Sequence, residues 1–422
     1  MNKNIMTITI QQPSTPYKGA IHLPSSKSIS NRALAIMALS GHHDRMPDNV
    51  SDCDDTRVMI QWLKTQPEVI DIGAAGTAMR FSSALLAVSE GTHVITGSER
   101  MRHRPISVLV DALRQLGAEI DYVEEQGFPP LRIKGHSQLR GGSLHLPGNV
   151  SSQYISALLM IGPAFSQGLT LHLDGEIISR PYINLTINMM RDFGAKVAWT
   201  DERTISVAPQ PYSLTNYHVE SDWSAASYWY EIVALSTGYE VQLPLLFPES
   251  YQGDSQVARI FDLLGVKTEY HKDTDGNPCV TLRKGACMVE RLDYDFVNQP
   301  DLAQTLVVTC CMMGLPFRFT GLQSLRIKET DRIAALECEL AKLGYTITDY
   351  DNSVMEWDGT KKEVAQPQPI DTYEDHRMAM SFAPCALTLG SISINNPQVV
   401  SKSYPRFWDD LRQAGFTITE NL

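Results

Sequence analysis

The sequence is short of several things, and each shortage excludes a class of protein. Its seven cysteines, at 53, 279, 287, 310, 311, 338 and 385, form no CxxC pair and no Cys/His cluster at zinc spacing. That excludes a disulfide framework or zinc module and reads as reduced, mostly buried thiols in a cytosolic protein. No apolar run reaches the roughly 18 residues of a membrane-spanning helix; the nearest lies around 305–317. The opening MNKNIMTITI alternates like a strand and lacks the charged region and apolar stretch of a signal peptide. Positive charge is scarce, 36 Lys and Arg against 48 Asp and Glu, which argues against a general nucleic-acid binder. GxxxxGK[ST], GxGxxG after a strand, and GxSxG are all missing, so neither a P-loop kinase, a dinucleotide enzyme nor an esterase elbow is supported. The expectation is a soluble cytoplasmic protein without nucleic-acid or membrane partners. A net charge of −12 still permits an anionic ligand held by a few focused cations.

What is present is ordinary globular composition and a repeat. Hydrophobic residues at 43% and charged residues at 20% exclude disorder and fibrous repeats, and 422 residues suggest two or three domains. Five segments share one grammar, an amphipathic helix end, a glycine, then an alternating strand: LRQLGAEIDY, MMRDFGAKVAW, FDLLGVKTEY, ELAKLGYTIT and LRQAGFTIT. Their glycines, Gly117, Gly194, Gly265, Gly344 and Gly415, recur 71 to 79 residues apart. Each suits the left-handed position that closes a helix. MIQWLKTQPEVIDI reads as a sixth, degenerate copy.

A second grammar interleaves with the first: a polar opening, an almost wholly apolar helix, a loop, a strand. Its openings are taken at Ser28, Thr77, Ser152, Ser224, Asp301 and Asp375, separated by 49 and then 72 to 77 residues. The first unit is short in both series. A helix apolar on every face belongs at a domain's centre. Six such helices and six amphipathic ones therefore predict two domains of three units, with buried helices inside and sheets around them. Pro163 and Pro384 fall inside the buried segments, where an interior proline costs about 3 kcal/mol, so early ends or kinks are expected there.

The openings themselves point to chemistry. Ser, Thr and Asp are ordinary N-caps. Capping does not call for Lys27, Arg32, Arg80 or Arg377 in the first turns, where cations oppose the helix dipole. An anion at those helix starts would resolve the conflict. Arg100, Arg102 and Arg104 in SERMRHRPI, Lys328 and Arg332 in RIKETDR, and Lys402 in VVSKSYP add loop cations. Together they suggest a site for a polyanionic small molecule, most naturally in a cleft between domains. His376, between two charged residues at a helix start, joins the candidates.

The motifs LPSSKSISNRAL, GAAGTAMR, ERMRHRPI, NVSSQY, ISRPYI, PDLAQT, RIKETDR, EDHRMAM and SKSYP, in order from about residue 22 to 410, resemble the 5-enolpyruvylshikimate-3-phosphate (EPSP) synthase family. The resemblance implies an α/β fold of two similar domains, residues 1–25 with 220–422 and residues 26–219. Each would hold three βαβαββ-type repeats, an inverse α/β barrel, with the active site in the interdomain cleft. It implies transfer of the enolpyruvyl group of phosphoenolpyruvate to the 5-hydroxyl of shikimate 3-phosphate, releasing phosphate, by a monomer with neither metal nor organic cofactor. Carried over by motif, Ser28, Arg32, Ser151, Ser152, Gln153, Ser179, Tyr182 and Lys328 look like shikimate-phosphate contacts. Lys27, Gly76, Arg104, Arg332, Arg377 and Lys402 look like the phosphoenolpyruvate clamp, with His376 beside it. Asp301 is then the base candidate, Glu329 the proton donor to carbon, and Lys27 and Lys402 stabilise the leaving phosphate.

The chain departs from the family pattern at Ala74 and Ser324, where many members have Asn, and at Ser25 and Phe81, in place of Gly and Pro. Ser324 would adjoin the shikimate hydroxyls. Gly76 stands where a larger side chain would crowd phosphoenolpyruvate, which predicts sensitivity to glyphosate. Two rivals remain at this stage. The enolpyruvyl transferase acting on UDP-N-acetylglucosamine typically carries a reactive cysteine in a loop of the first domain, and residues 97–130 have none. A non-catalytic anion-binding module would have eroded Asp301, Glu329 and Lys402, which are present.

Overall fold

The computed structural model describes residues 6–42, 45–213, 215–364 and 368–421. Residues 1–5 of the expected first strand lie outside these, and the strand itself is Thr7–Gln11. The chain divides into two compact units, Met1–Pro24 with Ser221–Leu422, and Ser25–Glu220.

In Ser25–Glu220 the helices Lys27–Leu39, Gly76–Ala87 and Ser152–Ile161 form the interior. Every residue of Gly76–Ala87 is buried, so this helix has no solvent face to satisfy. The helices Asp54–Thr65, Ser107–Gln115 and Arg180–Asp192 bury one face only. Two four-stranded sheets accompany them. One runs in the spatial order Val69–Asp71, Gly91–Thr96, Leu131–Gly135, Glu119–Tyr122; the other Gly142–Pro147, Leu169–Asp174, Thr204–Val207, Val197–Trp199. In each, the first two strands are parallel and the rest antiparallel. A parallel pair needs a crossover, and the buried helix supplies it. That is the βαβαββ unit. Among the described residues the first helix pair has no such sheet, because the short first interval leaves too little chain for one.

The other unit repeats the pattern around Trp223–Leu235, Ala303–Met313 and His376–Phe382. Its sheet Leu292–Asp295, Phe317–Thr320, Val354–Trp357, Thr348–Tyr350 has the same order and the same parallel first pair. A second sheet joins Lys18–Ala20 to Glu240–Pro244, and a third sets Thr7–Gln11 between Ser391–Asn395 and Thr417–Asn421. The two ends of the chain thus close one sheet.

The punctuation follows from local chemistry. The five repeat glycines have φ between 83° and 102°, where a side chain would be strained. In the degenerate copy Gln66 takes the left-handed position instead, at φ 43°. Both expected prolines end their helices: the chain tightens into 3-10 turns at Gly162–Ala164 and Ala383–Cys385, which need no donor from the proline nitrogen. All seven cysteines are free, with only Cys287 and Cys338 exposed. Among the described residues no helix is long and apolar enough to cross a membrane.

Candidate active site

The helix starts differ in detail from the sequence expectation. Ser26, not Ser28, caps Lys27–Leu39, accepting from the Ile29 amide at 3.4 Å. Ser151 caps Ser152–Ile161, Asp222 caps Trp223–Leu235 and Asp375 caps His376–Phe382. Ala75 precedes Gly76–Ala87 without a capping side chain, and Asp301 lies in the 3-10 turn Pro300–Leu302. Ser28, Thr77, Ser152 and Ser224 are therefore not caps. Taking the first hydroxyl before the apolar run misplaced each opening by one or two residues.

In Ser25–Glu220 the buried cations rest on neutral acceptors. Arg32, 3% exposed, donates from Nε to Thr186 Oγ1 at 2.7 Å, from Nη1 to the Ser28 carbonyl at 2.9 Å, and from Nη2 to Ser156 Oγ at 3.2 Å and the Tyr182 carbonyl at 3.4 Å. Burial without a carboxylate pulls its pKa down to about 10, and Tyr182 offsets only part of this. Its guanidinium also lies over the Phe81 ring, 5.3 Å from the centroid. Ser179, at φ 55°, turns the chain into the helix that carries Tyr182 and Thr186.

A second group gathers around Gly76. A methyl group placed there would come within 2.7 Å of Arg104 Nη1 and 3.2 Å of Arg80 Nη1, so two guanidiniums crowd this helix start. Arg80 donates to the carbonyls of Gly76 and Pro105, and Tyr154 donates to Pro105 as well. Arg104 Nε is buried without a partner among the described residues. Gln153 Nε2 donates to Thr77 Oγ1 at 3.2 Å, which joins the second and third buried helices. Lys27 faces a carboxylate, Asp55 at 3.3 Å, whose side chain is 4% exposed. Arg102, by contrast, points to exposed Glu124 and leaves the cluster.

In the other unit the cations are bound to acids. Arg332, at the first residue of Arg332–Lys342, reaches three carboxylates: Asp375 at 2.7 Å, Asp301 at 3.0 Å and Glu329 at 3.0 Å. Arg377 donates to Asp301 Oδ2 at 2.9 Å, and Lys328 lies 3.5 Å from Oδ1, the oxygen that Arg332 binds. Lys402 meets Glu329 at 3.0 Å. Burial pushes Asp301 up, but Arg377, Lys328 and Arg332 outweigh it and hold its carboxyl well below the ordinary range. His376 is buried, with Nδ1 3.6 Å from Asp375 Oδ1, too long for a direct hydrogen bond. Tyr228 adds a hydroxyl 3.5 Å from Arg377, its own pKa pushed up by burial to about 12.

The structure thus joins Asp301, Lys328, Glu329, Arg332, Arg377 and Lys402 into one ion network, and ties Arg32 to the carbonyls of Ser28 and Tyr182. Ser324 lies in the turn Gln323–Ile327, and among the described residues no hydrogen bond ties it to the network. Sequence reasoning missed Asp55, Thr186, Ser156 and Tyr228, and passed over Asp375 as a cap. The acidic run SDCDD beside a cationic helix start was the available signal for Asp55; the others carry none.

The arrangement suits a protein that handles small anions. Among solved structures the chain is similar to an EPSP synthase from Acinetobacter baumannii, with a TM-score of 0.75 and 23% identity over 99% of this chain and 100% of that one. The class is thereby set: an α/β protein with the EPSP synthase fold. The model of the family described as EPSP synthase (3-phosphoshikimate 1-carboxyvinyltransferase) matches residues 62–411. A 3-phosphoshikimate 1-carboxyvinyltransferase of Bacteroides fragilis is 60% identical over 401 residues, 95% of this chain and 96% of that protein. One from Vibrio cholerae is 37% identical over 95% of this chain and 98% of its own length. The chain belongs to the EPSP synthase family.

Proposed function

We propose that this protein transfers the enolpyruvyl group of phosphoenolpyruvate to the 5-hydroxyl of shikimate 3-phosphate, releasing phosphate, as a step of the shikimate pathway to aromatic amino acids. The observation that carries the reading is the network in which Asp301 and Glu329 are each held by at least two cations, Arg332 being common to both. The addition step needs a base for the hydroxyl proton and an acid to protonate the methylene carbon; elimination needs the reverse. Asp301 is the proposed base and Glu329 the proposed acid. Lys27 and Lys402 stabilise the leaving phosphate; Arg32, Ser28, Ser151, Ser152, Gln153, Ser179, Tyr182 and Lys328 bind shikimate 3-phosphate, with Ser324 beside its hydroxyls.

An Asp301 carboxyl held so low is a poor base. Anionic groups of the substrates that draw on Arg332, Arg377 and Lys328 remove part of that stabilisation, so substrate binding itself raises the basicity of Asp301. Cations fixed in advance of the reaction supply the rest, as preorganised countercharge for two substrates that repel one another in water. No metal or organic cofactor enters the chemistry. Seven free thiols suit action in the cytoplasm, and we propose a monomer. A side chain at Gly76 would press on the Arg104 and Arg80 guanidiniums and shift cations proposed to grip phosphoenolpyruvate, and glyphosate is expected to inhibit competitively with phosphoenolpyruvate.

The test is phosphate release from phosphoenolpyruvate with shikimate 3-phosphate or UDP-N-acetylglucosamine as acceptor, repeated on Asp301→Ala and Lys27→Ala. Activity with the first acceptor alone, lost in both variants, supports the reading. Activity with the sugar nucleotide, or with neither, overturns it.

A further inference from the structure

Arg377 and Asp375 reach their partners from an improbable piece of backbone. The Asp375 amide donates to the Thr372 carbonyl at 2.8 Å, closing a four-residue turn. Its two central residues, Tyr373 and Glu374, have φ of 53° and 58°. Two successive positive values are the mark of a type I′ turn, which draws on Asn and Gly because other side chains are strained there. Tyr-Glu is a poor choice on local grounds. Something outside the turn must hold it.

That something is Glu339, whose side chain is fully buried although charged. Its Oε1 accepts from the Tyr373 hydroxyl at 2.6 Å, and its Oε2 accepts from the Asp371 amide at 3.0 Å. One carboxylate therefore holds the first central residue of the strained turn and the residue that precedes the turn. Lys342 braces it, 2.7 Å from Glu339 Oε2 and 2.8 Å from Asp371 Oδ2, while Asn395 donates to Asp371 Oδ1 at 2.7 Å. Partial desolvation pushes the Tyr373 hydroxyl up, and its hydrogen bonds with Cys338 and Glu339 push it the same way, so it acts here as a donor.

Glu339 lies on the helix Arg332–Lys342, and Arg332 begins that helix. A single rigid element thus sets the position of Arg332 at one end and, nearly two turns on, clasps the loop that delivers Asp375 and Arg377 to Arg332 and Asp301. We propose that Glu339 and Tyr373 are positioning residues for phosphoenolpyruvate binding, holding a strained turn so that Arg377 and Asp375 stay aimed at the ion network. They touch no substrate in this scheme. The inference rests on the proposed reaction, in which Arg377 takes part in the phosphoenolpyruvate clamp.

The experiment measures kcat and KM on full-length Tyr373→Phe, Glu339→Gln, Glu374→Gly and the double variant Glu339→Gln/Glu374→Gly, with Tm recorded for each. Tyr373→Phe removes one hydroxyl and keeps the shape, so it guards against loss of folding. Glu339→Gln leaves one acceptor oxygen for three donors, the Tyr373 hydroxyl, the Asp371 amide and the Lys342 ammonium. The expected result is a rise in KM for phosphoenolpyruvate of about tenfold in both single variants with kcat changed less than threefold, the mark of weakened binding without altered chemistry. Glu374→Gly alone is expected to keep wild-type kinetics. Because glycine adopts the turn without strain, in the double variant it is expected to recover most of the KM defect. Unchanged KM in Tyr373→Phe and Glu339→Gln, or a defect that Glu374→Gly does not relieve, overturns the proposal. Inactivity of the wild type with these substrates instead overturns the reaction assignment and is read separately from the variants.

Discussion

The two units handle buried positive charge in opposite ways. In Ser25–Glu220, Arg32 meets hydroxyls and carbonyls, Arg80 donates to carbonyls, and Lys27 has a carboxylate. In the other unit Arg332, Arg377, Lys328 and Lys402 are all paired with acids. The titration of the arginines records the contrast: burial pulls Arg32 down, whereas Arg332, as deeply buried, is raised by Asp375, Glu329 and Asp301. A buried cation without countercharge stores an attraction that only an incoming anion can use. A cation already paired cannot bind as tightly. Its acids, however, become responsive to whatever competes for it. On this view one unit is built to hold an anion and the other to couple binding to proton transfer.

The largest effects should fall on activity and should separate the two roles. Asp301→Ala is expected to lower kcat about a thousandfold, within the range general-base residues command, with little change in KM for shikimate 3-phosphate. Arg32→Met is expected to do the reverse, raising that KM roughly 10- to 100-fold, the worth of a charge-assisted hydrogen bond or two, and sparing kcat. Steady-state kinetics with each substrate varied measures both. If both variants lose kcat alike, the division of labour is wrong.

Stability should show a smaller contrast of opposite sign. Arg332→Met strands Asp375, which is fully buried, together with parts of Asp301 and Glu329, and should cost about 3–5 kcal/mol. Arg32→Met removes a desolvated charge whose partners are neutral, and a thioether fills similar space over Phe81. It should be neutral or slightly stabilising. Urea unfolding with the m-value held constant measures the difference. Equal destabilisation of both variants would mean that the hydroxyl and carbonyl partners compensate Arg32 as fully as carboxylates compensate Arg332.

How much of this was legible in the sequence follows from how local each cause is. Gly117, Gly194, Gly265, Gly344 and Gly415 announced the repeat because a left-handed helix end is a one-residue decision. Pro163 and Pro384 announced helix ends for the same reason, since a missing N–H needs no tertiary context. The cations at Lys27, Arg32 and Arg377 betrayed a site because they contradict the local dipole rule. Partners were not legible. Thr186 and Ser156 look like any helical hydroxyls, yet they complete the cradle of Arg32. Capping residues also misled: Ser26 and Ser28 are both reasonable caps, and only the backbone angle at Ser26 decides between them. Glu339 was invisible for a related reason. In ELAKLG it reads as a solvated helix residue, and its partners, the Tyr373 hydroxyl and the Asp371 amide, lie 34 and 32 residues further along the chain.

The smallest effect is on the pH dependence of stability, where the two units should again part. Asp301 has its folded pKa depressed well below its unfolded value, so the folded state binds fewer protons than the unfolded chain as acid is added. Its contribution is therefore fully present above the ordinary carboxylate range and is lost as pH falls through about 4 and below. Asp301→Asn should remove that slope and flatten the acid limb between pH 6 and pH 3. Arg32 stays charged throughout this interval, since its pKa near 10 lies far above it. Arg32→Met should then displace the whole stability curve without bending its acid limb. Denaturant midpoints collected at half-unit pH steps distinguish a bend from a displacement. A bend in the Arg32→Met curve would show that an acid titrates against Arg32 after all, and the contrast between the paired and unpaired cations would then have to be given up.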